Sequence, residues 1–210
     1  MKDAIGVLGG SFDPIHIGHL QLARDALAAF SLREVRFVPA AAPWQKGALT
    51  DAAHRAHMVE LAIADEPRFV LDMREVERGG TSYTIDTLRE LRTALPDATL
   101  LLIIGADQFE HFDTWRAWQE IATLATIAVA RRAGAPLRPG SAAATLLETG
   151  QAREFAMTAV DASASDIRRR LRGLQVPHSR HADPELDRLL APTVLDYIRL
   201  HHLYLDDRGH

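Results

Sequence analysis

The chain has 210 residues, of which 47% are hydrophobic and 25% are charged, which is typical of a soluble globular protein with one full core. Its formal net charge of -4 lacks the basic surplus that nucleic-acid binding needs, so we expect no nucleic-acid partner. It contains no cysteine, which excludes disulfides and thiolate metal ligands.

The N-terminal residues show no signal-peptide pattern, and no apolar stretch approaches the roughly 18 residues that a membrane helix needs. We therefore expect a cytoplasmic protein without membrane association. The sequence does not determine the oligomeric state, and a homo-oligomer is compatible with it.

Short apolar runs alternate with segments of helical periodicity along most of the chain. This alternation predicts an α/β fold, a Rossmann-like doubly wound parallel sheet with a small C-terminal helical part at about residues 163–202. The whole chain, residues 1–210, is expected to form a single domain. Residues 133–152 are rich in Ala, Gly and Pro without a clear period and are predicted to form a surface excursion. The predicted strands are 5–8, 35–38, 69–71, 99–104 and 126–130. Helices are predicted to start at Ile17 and after Thr50–Asp51, and further helical segments are predicted at 83–95, 163–174 and 192–202.

Polar and glycine-rich segments follow four of these strands, at Gly9–His19, Pro39–Lys46, Gly105–Asp107 and Arg131–Arg132. In parallel sheets, ligands bind beyond the carboxyl ends of the strands. We therefore expect these four segments to converge on one binding site.

The segment Gly9–His19 carries the clearest chemistry. Paired glycines after a strand let the main chain approach a ligand, and the following helix presents N–H groups and a partial positive charge to it. His16 and His19 are three positions apart and share a face at the helix start, while Gly18 is expected to leave room for a bulky ligand. This pattern predicts a polyphosphate site; the alternative is that the histidines only cap or pack the helix. The dinucleotide fingerprint and the Walker A loop are both absent.

The pattern Gly10-x-Phe12-Asp13-Pro14-x-His16-x-Gly18-His19 resembles the signature of the HxGH nucleotidyltransferase superfamily. Ser163–Arg168 resembles the second signature of that superfamily. The resemblance extends from Ile5 to about Tyr197. Further segments occur in the same order in the bacterial nicotinate mononucleotide adenylyltransferase family: Ser82–Leu88, Ile104–Asp107, Trp115–Trp118 and Ala130–Arg132.

The chain departs from the family pattern at two places. Gln45 precedes Lys46 where the family often has His, and Ala164-Ser165 stands where Ser-Thr is usual. These changes bear on the roles of individual side chains more than on the reaction.

The resemblance implies a nucleotidyltransferase that transfers AMP from ATP to nicotinate mononucleotide, giving nicotinate adenine dinucleotide and pyrophosphate in NAD biosynthesis. The attacking phosphate is already an anion, so catalysis needs positioning and charge neutralisation more than a general base. The resemblance also implies Mg²⁺ as cofactor, bound mainly through ATP phosphates and without a dedicated protein metal site.

Residue roles follow from the matched motifs. Main-chain N–H groups at Tyr83 and Thr84 suit the carboxylate of nicotinate, and Trp115 suits stacking on a pyridine ring. The expected catalytic residues are His16, His19, Lys46 and Arg168. The expected ATP contacts are Gly9, Gly10, Ser11, Phe12, His16, His19, Gly105, Asp107, Ser165 and Arg168. The expected acceptor contacts are Lys46, Tyr83, Thr84, Asp107, Trp115 and Arg132.

Several alternatives stay open at this point. Arg168 also fits a solvated basic face, Trp115 and Trp118 fit core packing, and Asp107 fits a helix N-cap. At the level of function, the alternatives are a sister adenylyltransferase or cytidylyltransferase acting on nicotinamide mononucleotide or pantetheine phosphate, a non-catalytic nucleotide-binding regulator, and a metabolite-binding α/β domain.

Overall fold

A computed structural model describes residues 3–43, 49–132, 137, 140–173 and 183–205. The strands in these residues are β1 (Ala4–Gly10), β2 (Glu34–Pro39), β3 (Ala42–Pro43), β4 (Phe69–Leu71), β5 (Thr81–Ser82), β6 (Thr99–Gly105), β7 (Thr126–Arg132) and β8 (Ala152–Met157). The helices are α1 (Ile17–Phe30), α2 (Ala52–Ile63), α3 (Arg74–Arg78), α4 (Thr84–Ala94), α5 (Ala106–Glu110), α6 (Trp118–Leu124), α7 (Ser141–Glu148), α8 (Ala164–Gly173), α9 (Pro184–Leu189) and α10 (Pro192–Leu200), with a short 3₁₀ helix at Phe112–Thr114.

The described strands form a six-stranded main sheet in the order β4-β2-β1-β6-β7-β8, in which all neighbours are parallel. β3 and β5 form a separate pair. Chain order runs outward in one direction from β1 through β2 to β4, and in the other from β6 through β7 to β8. The direction of winding therefore reverses between β1 and β6, at the position where doubly wound sheets bind ligands.

Both faces of the sheet are buried, as the continuous apolar run of β6 predicts. Leu101 and Ile103 belong to one hydrophobic cluster, and Leu100, Leu102 and Ile104 belong to a second cluster on the opposite face. Residues of α1, α2 and α8–α10 complete the first cluster, and residues of α4–α7 complete the second. The predicted doubly wound α/β fold is confirmed.

The region 133–152 differs from the predicted surface excursion, because α7 lies within it and β8 begins at its end. β8 is an edge strand whose Arg153 and Glu154 are exposed, so it lacks the apolar run that marks a central strand. In α7 only Ala143 and Leu146 are buried, which is too few to give a visible helical stripe.

The C-terminal helices pack onto the same core as α1. Ile167 of α8, Leu186 of α9 and Val194 of α10 are fully buried in the cluster that also contains Leu20 of α1. Asp51 caps α2 by accepting a hydrogen bond from the Ala53 N–H at 2.8 Å. None of the described helices has the length and apolar character needed to cross a lipid bilayer.

Candidate active site

A cavity of about 750 Å³ lies at the carboxyl edge of the sheet, at the reversal between β1 and β6. Residues at or just beyond the carboxyl ends of β1, β2, β6 and β7 all contribute to its wall, so the predicted convergence is present in the structure. Ten of the residues expected in the site line this cavity: Gly9, Gly10, Ser11, His16, His19, Thr84, Gly105, Asp107, Trp115 and Arg132.

The turn between β1 and α1 is built around a buried phenylalanine. Phe12 adopts a φ of 47° and is 1% exposed, and its ring packs against His19 at 5.1 Å and Phe37 at 5.8 Å. A left-handed conformation costs a non-glycine residue about 1–2 kcal/mol, so this packing must hold the turn in place. Because the ring is in the core, Phe12 has only main-chain groups to offer a ligand.

His16 and His19 lie at the start of α1, in the N-cap position and in the first turn. Their ring centroids are 3.8 Å apart, and the main-chain N–H of His16 donates to Nδ1 of His19 at 3.2 Å. An Nδ1 that accepts a hydrogen bond carries no proton, so the neutral His19 ring has its donor at Nε2. This hydrogen bond fixes the orientation of the His19 ring.

Burial lowers the pKa of His16 to about 4, so this ring is neutral at pH 7. Its Nδ1 is buried without a hydrogen-bond partner among the described residues. Two charged imidazoles at the observed separation would repel each other by about 4 kcal/mol at an effective dielectric constant near 20. A neutral His16 avoids this repulsion.

The role predicted for Gly18 needs correction. A Cβ at Gly18 would lie 3.0 Å from Cε1 and Nδ1 of His16 and 3.5 Å from the Cβ of Ala162. The absent side chain of Gly18 therefore makes room chiefly for the imidazole of His16, and not for a bulky ligand.

Arg168 and Ser165 lie in α8, next to the turn that follows β1. Nη1 of Arg168 donates to the main-chain carbonyl of Asp13 at 2.5 Å, and its Nη2 is 3.4 Å from Oγ of Ser165. Ser165 is the second residue of α8. Both side chains adjoin the cavity but do not line it. Lys46 and the neighbouring Gln45 lie outside the described residues.

The opposite side of the cavity contains the residues expected to select the acceptor. Thr84 is the first residue of α4 and lines the cavity, whereas the ring of Tyr83 lies under the guanidinium of Arg116 at 4.6 Å. Trp115 lines the cavity, and Trp118 packs against Phe112 in the core.

Asp107 lies in the first turn of α5, whose N-cap is Gly105. A Cβ at Gly105 would lie 2.6 Å from Oδ1 of Asp107, so the carboxylate is folded against this glycine. The alternative of Asp107 as an N-cap is therefore wrong, and its carboxylate lines the cavity next to the reversal between β1 and β6.

Four polar residues of the cavity wall were missed by the sequence interpretation: Glu75, Ser82, Thr87 and Gln108. Glu75 is buried and accepts a hydrogen bond from the hydroxyl of Thr87, and the hydroxyl of Ser82 accepts one from the Ala41 N–H at 3.0 Å. Glu75 and Thr87 are 12 positions apart on different helices, so no local pattern reveals the pair. Ser82 lies within a matched family segment, which is the signal that could have identified it.

Comparison with known proteins supports the assignment that these motifs imply. Residues 7–170 match the family model described as cytidylyltransferase-like. A probable nicotinate-nucleotide adenylyltransferase of Bordetella parapertussis is 44% identical to this chain. The alignment covers 95% of this chain and 97% of the relative. A protein of the same name from Bordetella petrii is 45% identical, with 95% of this chain and 98% of the relative covered.

The chain belongs to the nicotinate-nucleotide adenylyltransferase family. A solved structure supports the fold: Plasmodium falciparum nicotinic acid mononucleotide adenylyltransferase complexed with NaAD superposes with a TM-score of 0.75. That match covers 96% of this chain and 97% of the other, at 18% sequence identity.

As a member of this family, the chain is expected to bind nucleotides together with a divalent metal. The described residues contain no group of three or more His, Asp or Glu side chains arranged to hold a metal ion. The cavity wall does contain two carboxylates, Glu75 and Asp107.

The buried neutral His16 predicts a pH dependence of stability. Its folded pKa of about 4 lies below the value of about 6.5 for an unfolded histidine, so the unfolded state binds more protons between these pH values. The unfolding free energy should fall as the pH falls through this window, by up to about 3 kcal/mol from this residue. His16→Asn removes the titration and keeps a good N-cap, so we expect a smaller loss of stability in acid.

Urea unfolding at pH 7 and pH 4.5 measures this difference. His57→Asn is the control, because the side chain of His57 is exposed. A His16→Asn variant that loses as much stability in acid as the wild type would contradict the buried neutral state.

Proposed function

We propose that this protein transfers AMP from ATP to nicotinate mononucleotide, forming nicotinate adenine dinucleotide and pyrophosphate. The observation that carries this proposal is the placement of the His16–His19 pair, Thr84 and Trp115 in one cavity at the sheet reversal. The relatives named for this activity cover almost the whole chain, and the Plasmodium falciparum structure that shares the fold is complexed with NaAD.

ATP is proposed to bind against the turn after β1. The first turn of a helix has N–H groups without intrahelical partners, and α1 directs these groups toward the phosphates. His19 donates from Nε2 and His16 adds a second imidazole, both aimed at the α- and β-phosphates. Gly9, Gly10, Ser11 and Phe12 contribute main-chain contacts, Gly105 and Asp107 approach the adenosine, and Ser165 contacts phosphate from the start of α8.

The acceptor phosphate attacks the α-phosphorus of ATP. One P–O bond forms to the acceptor oxygen, and the bond between the α-phosphorus and the bridging oxygen breaks, so that pyrophosphate leaves with the negative charge. Arg168, fixed against the carbonyl of Asp13, and Lys46 are proposed to neutralise this charge. The reaction needs no Ser or Cys nucleophile, because the attacking group is already an anion.

The acceptor pyridine ring is proposed to stack on Trp115. The start of α4, at Tyr83 and Thr84, provides main-chain N–H groups for a carboxylate, and the exposed Arg132 adds positive charge at the cavity wall. An amide in the same place would present its own N–H groups to donors, which disfavours nicotinamide mononucleotide.

Mg²⁺ is proposed to arrive bridging the phosphate oxygens of ATP, where it would neutralise part of the charge of the leaving group. In this proposal the protein contributes the cationic and N–H groups around the phosphates.

The chain is proposed to act as one nucleotidyltransferase unit. The C-terminal helices share a hydrophobic cluster with α1, and Arg168 of α8 bonds to the turn after β1. The site therefore draws residues from the N-terminal and the C-terminal parts of the chain.

The function is tested by incubating the protein with ATP, Mg²⁺ and one acceptor: nicotinate mononucleotide, nicotinamide mononucleotide or pantetheine phosphate. We expect dinucleotide and pyrophosphate, with the highest kcat/KM for nicotinate mononucleotide. Absence of product with every acceptor would contradict the proposal. A preference for nicotinamide mononucleotide would contradict only the carboxylate assignment, and product from pantetheine phosphate alone would indicate a sister enzyme.

His19→Ala should lower kcat by about 100-fold, because it removes one oriented donor to the transferring phosphate. The fold should be retained, which circular dichroism checks. His57→Ala, at an exposed histidine of α2, is the matched control and should leave kcat unchanged. A His19→Ala variant with the turnover of the wild type would show that this histidine is only structural.

Trp115→Ala should raise the KM for nicotinate mononucleotide by about 10-fold and leave the KM for ATP unchanged, since stacking is lost on the acceptor side alone. Trp118→Ala is the control: it removes a neighbouring indole that packs on Phe112 away from the cavity. Equal changes of KM in the two variants would place the pyridine ring elsewhere.

A further inference from the structure

Arg55 is the largest fully buried side chain of the described residues, with 1% exposure, and it lies in α2 outside the signature motifs. Its guanidinium donates four hydrogen bonds, all to main-chain carbonyls. The acceptors are Thr50 at 2.7 Å from Nε, Ser11 at 2.7 Å from Nη1, and Ala40 at 2.6 Å and Ala41 at 3.0 Å from Nη2.

These carbonyls belong to the two chain segments that leave β1 and β2. Ser11 and Ala40 line the cavity. Ala41 and Thr50 lie in the sequence on either side of residues 42–49, the segment that includes Lys46. A single side chain thus fixes the turn after β1 relative to both ends of this segment.

A carboxylate in the turn after β1 offsets part of the cost of burying the positive charge of Arg55. Burial lowers the pKa of Arg55, while the nearby carboxylate of Asp13 opposes this effect. Asp13 is only 4% exposed and accepts a hydrogen bond from the hydroxyl of Tyr204 at 2.7 Å. Arg168 donates to the main-chain carbonyl of the same Asp13. Tyr204, which is 191 positions from Asp13 in the sequence, therefore completes the polar environment of the turn.

We propose that Arg55 is a positioning residue for ATP, which holds the turn after β1 against the base of the segment 42–49, and that the Asp13–Tyr204 hydrogen bond completes this network. The inference rests on the proposed ATP site. Arg55 reaches no reacting atom; it acts through the main chain of Ser11 and Ala40. Only the planar, five-donor guanidinium can span these carbonyls, because the ammonium of lysine offers three donors from one point.

Arg55→Lys keeps the positive charge, but the lysine side chain cannot donate to all four carbonyls at once. We expect the affinity for a non-hydrolysable ATP analogue, measured by isothermal titration calorimetry, to fall by about 10-fold or more, because a small misplacement of the phosphate-binding groups is costly. In turnover, kcat should fall and the KM for ATP should rise, while the KM for nicotinate mononucleotide stays within about twofold of the wild type.

Arg92→Lys is the matched control. Arg92 of α4 is half-buried and donates to the main-chain carbonyls of Ala98 at 2.6 Å and Leu124 at 2.5 Å, neither of which lines the cavity. Arg92→Lys should lower the melting temperature of the protein without changing its affinity for the ATP analogue. Unchanged affinity in Arg55→Lys, or an equal loss in both variants, would overturn the proposal and leave Arg55 as a general stabilising residue.

Tyr204→Phe tests the other end of the network and keeps the proposal falsifiable should Arg55→Lys fail to fold. It should weaken binding of the analogue by about 3-fold to 10-fold, because the buried carboxylate of Asp13 loses a donor. Tyr197→Phe, which removes the 2.8 Å hydrogen bond to Nδ1 of His54, is the control and should leave affinity unchanged. Equal affinities of Tyr204→Phe and wild type would remove Tyr204 from the network and overturn this part.

The binding readout is independent of turnover, so a wild type that binds the analogue but makes no dinucleotide contradicts only the proposed function.

Discussion

The reversal of winding between β1 and β6 is the constraint on which the site depends. These strands are adjacent and parallel, but α1 packs on one face of the sheet and α5 on the other. No helix can cover the carboxyl ends of both strands, so a cavity remains where two chain segments leave in opposite directions. Several polar groups of the site come from a loop or from the first turn of a helix, where main-chain N–H groups are available for phosphate.

The two histidines of this cavity are arranged so that they do not both carry a positive charge. The stacked His16 and His19 are close enough that only one of them can be charged at low cost, and burial keeps His16 neutral. A triphosphate beside the pair would favour protonation of an imidazole, because an anion within about 4–6 Å stabilises the charged form of a histidine.

The sequence predicted what depends on local patterns. The apolar runs and the glycine-rich turn located the central strands, the start of α1 and the order of the segments around the cavity. It failed where structure depends on contacts between distant parts of the chain. The edge strand β8 pairs on one side only, and three of its six residues are exposed. Arg55 and Tyr204 bond to carbonyls and a carboxylate that no spacing rule connects to them. The expectation for Gly18 was wrong for a related reason, because a rotamer of His16, and not a ligand, fills its space.

The buried network around Asp13 joins residues from distant parts of the chain at the turn after β1. Phosphoryl transfer gains little from a single powerful group and much from several weak ones held at fixed positions. Fixing a loop costs conformational entropy of about 1–2 kcal/mol per residue, which surface contacts alone rarely offset. Hydrogen bonds from a buried guanidinium are stronger than neutral ones, and leaving any of its carbonyl acceptors unsatisfied costs about 1–3 kcal/mol. In the proposed site, the loops that contact the nucleotide are therefore fixed by buried polar residues that do not contact it.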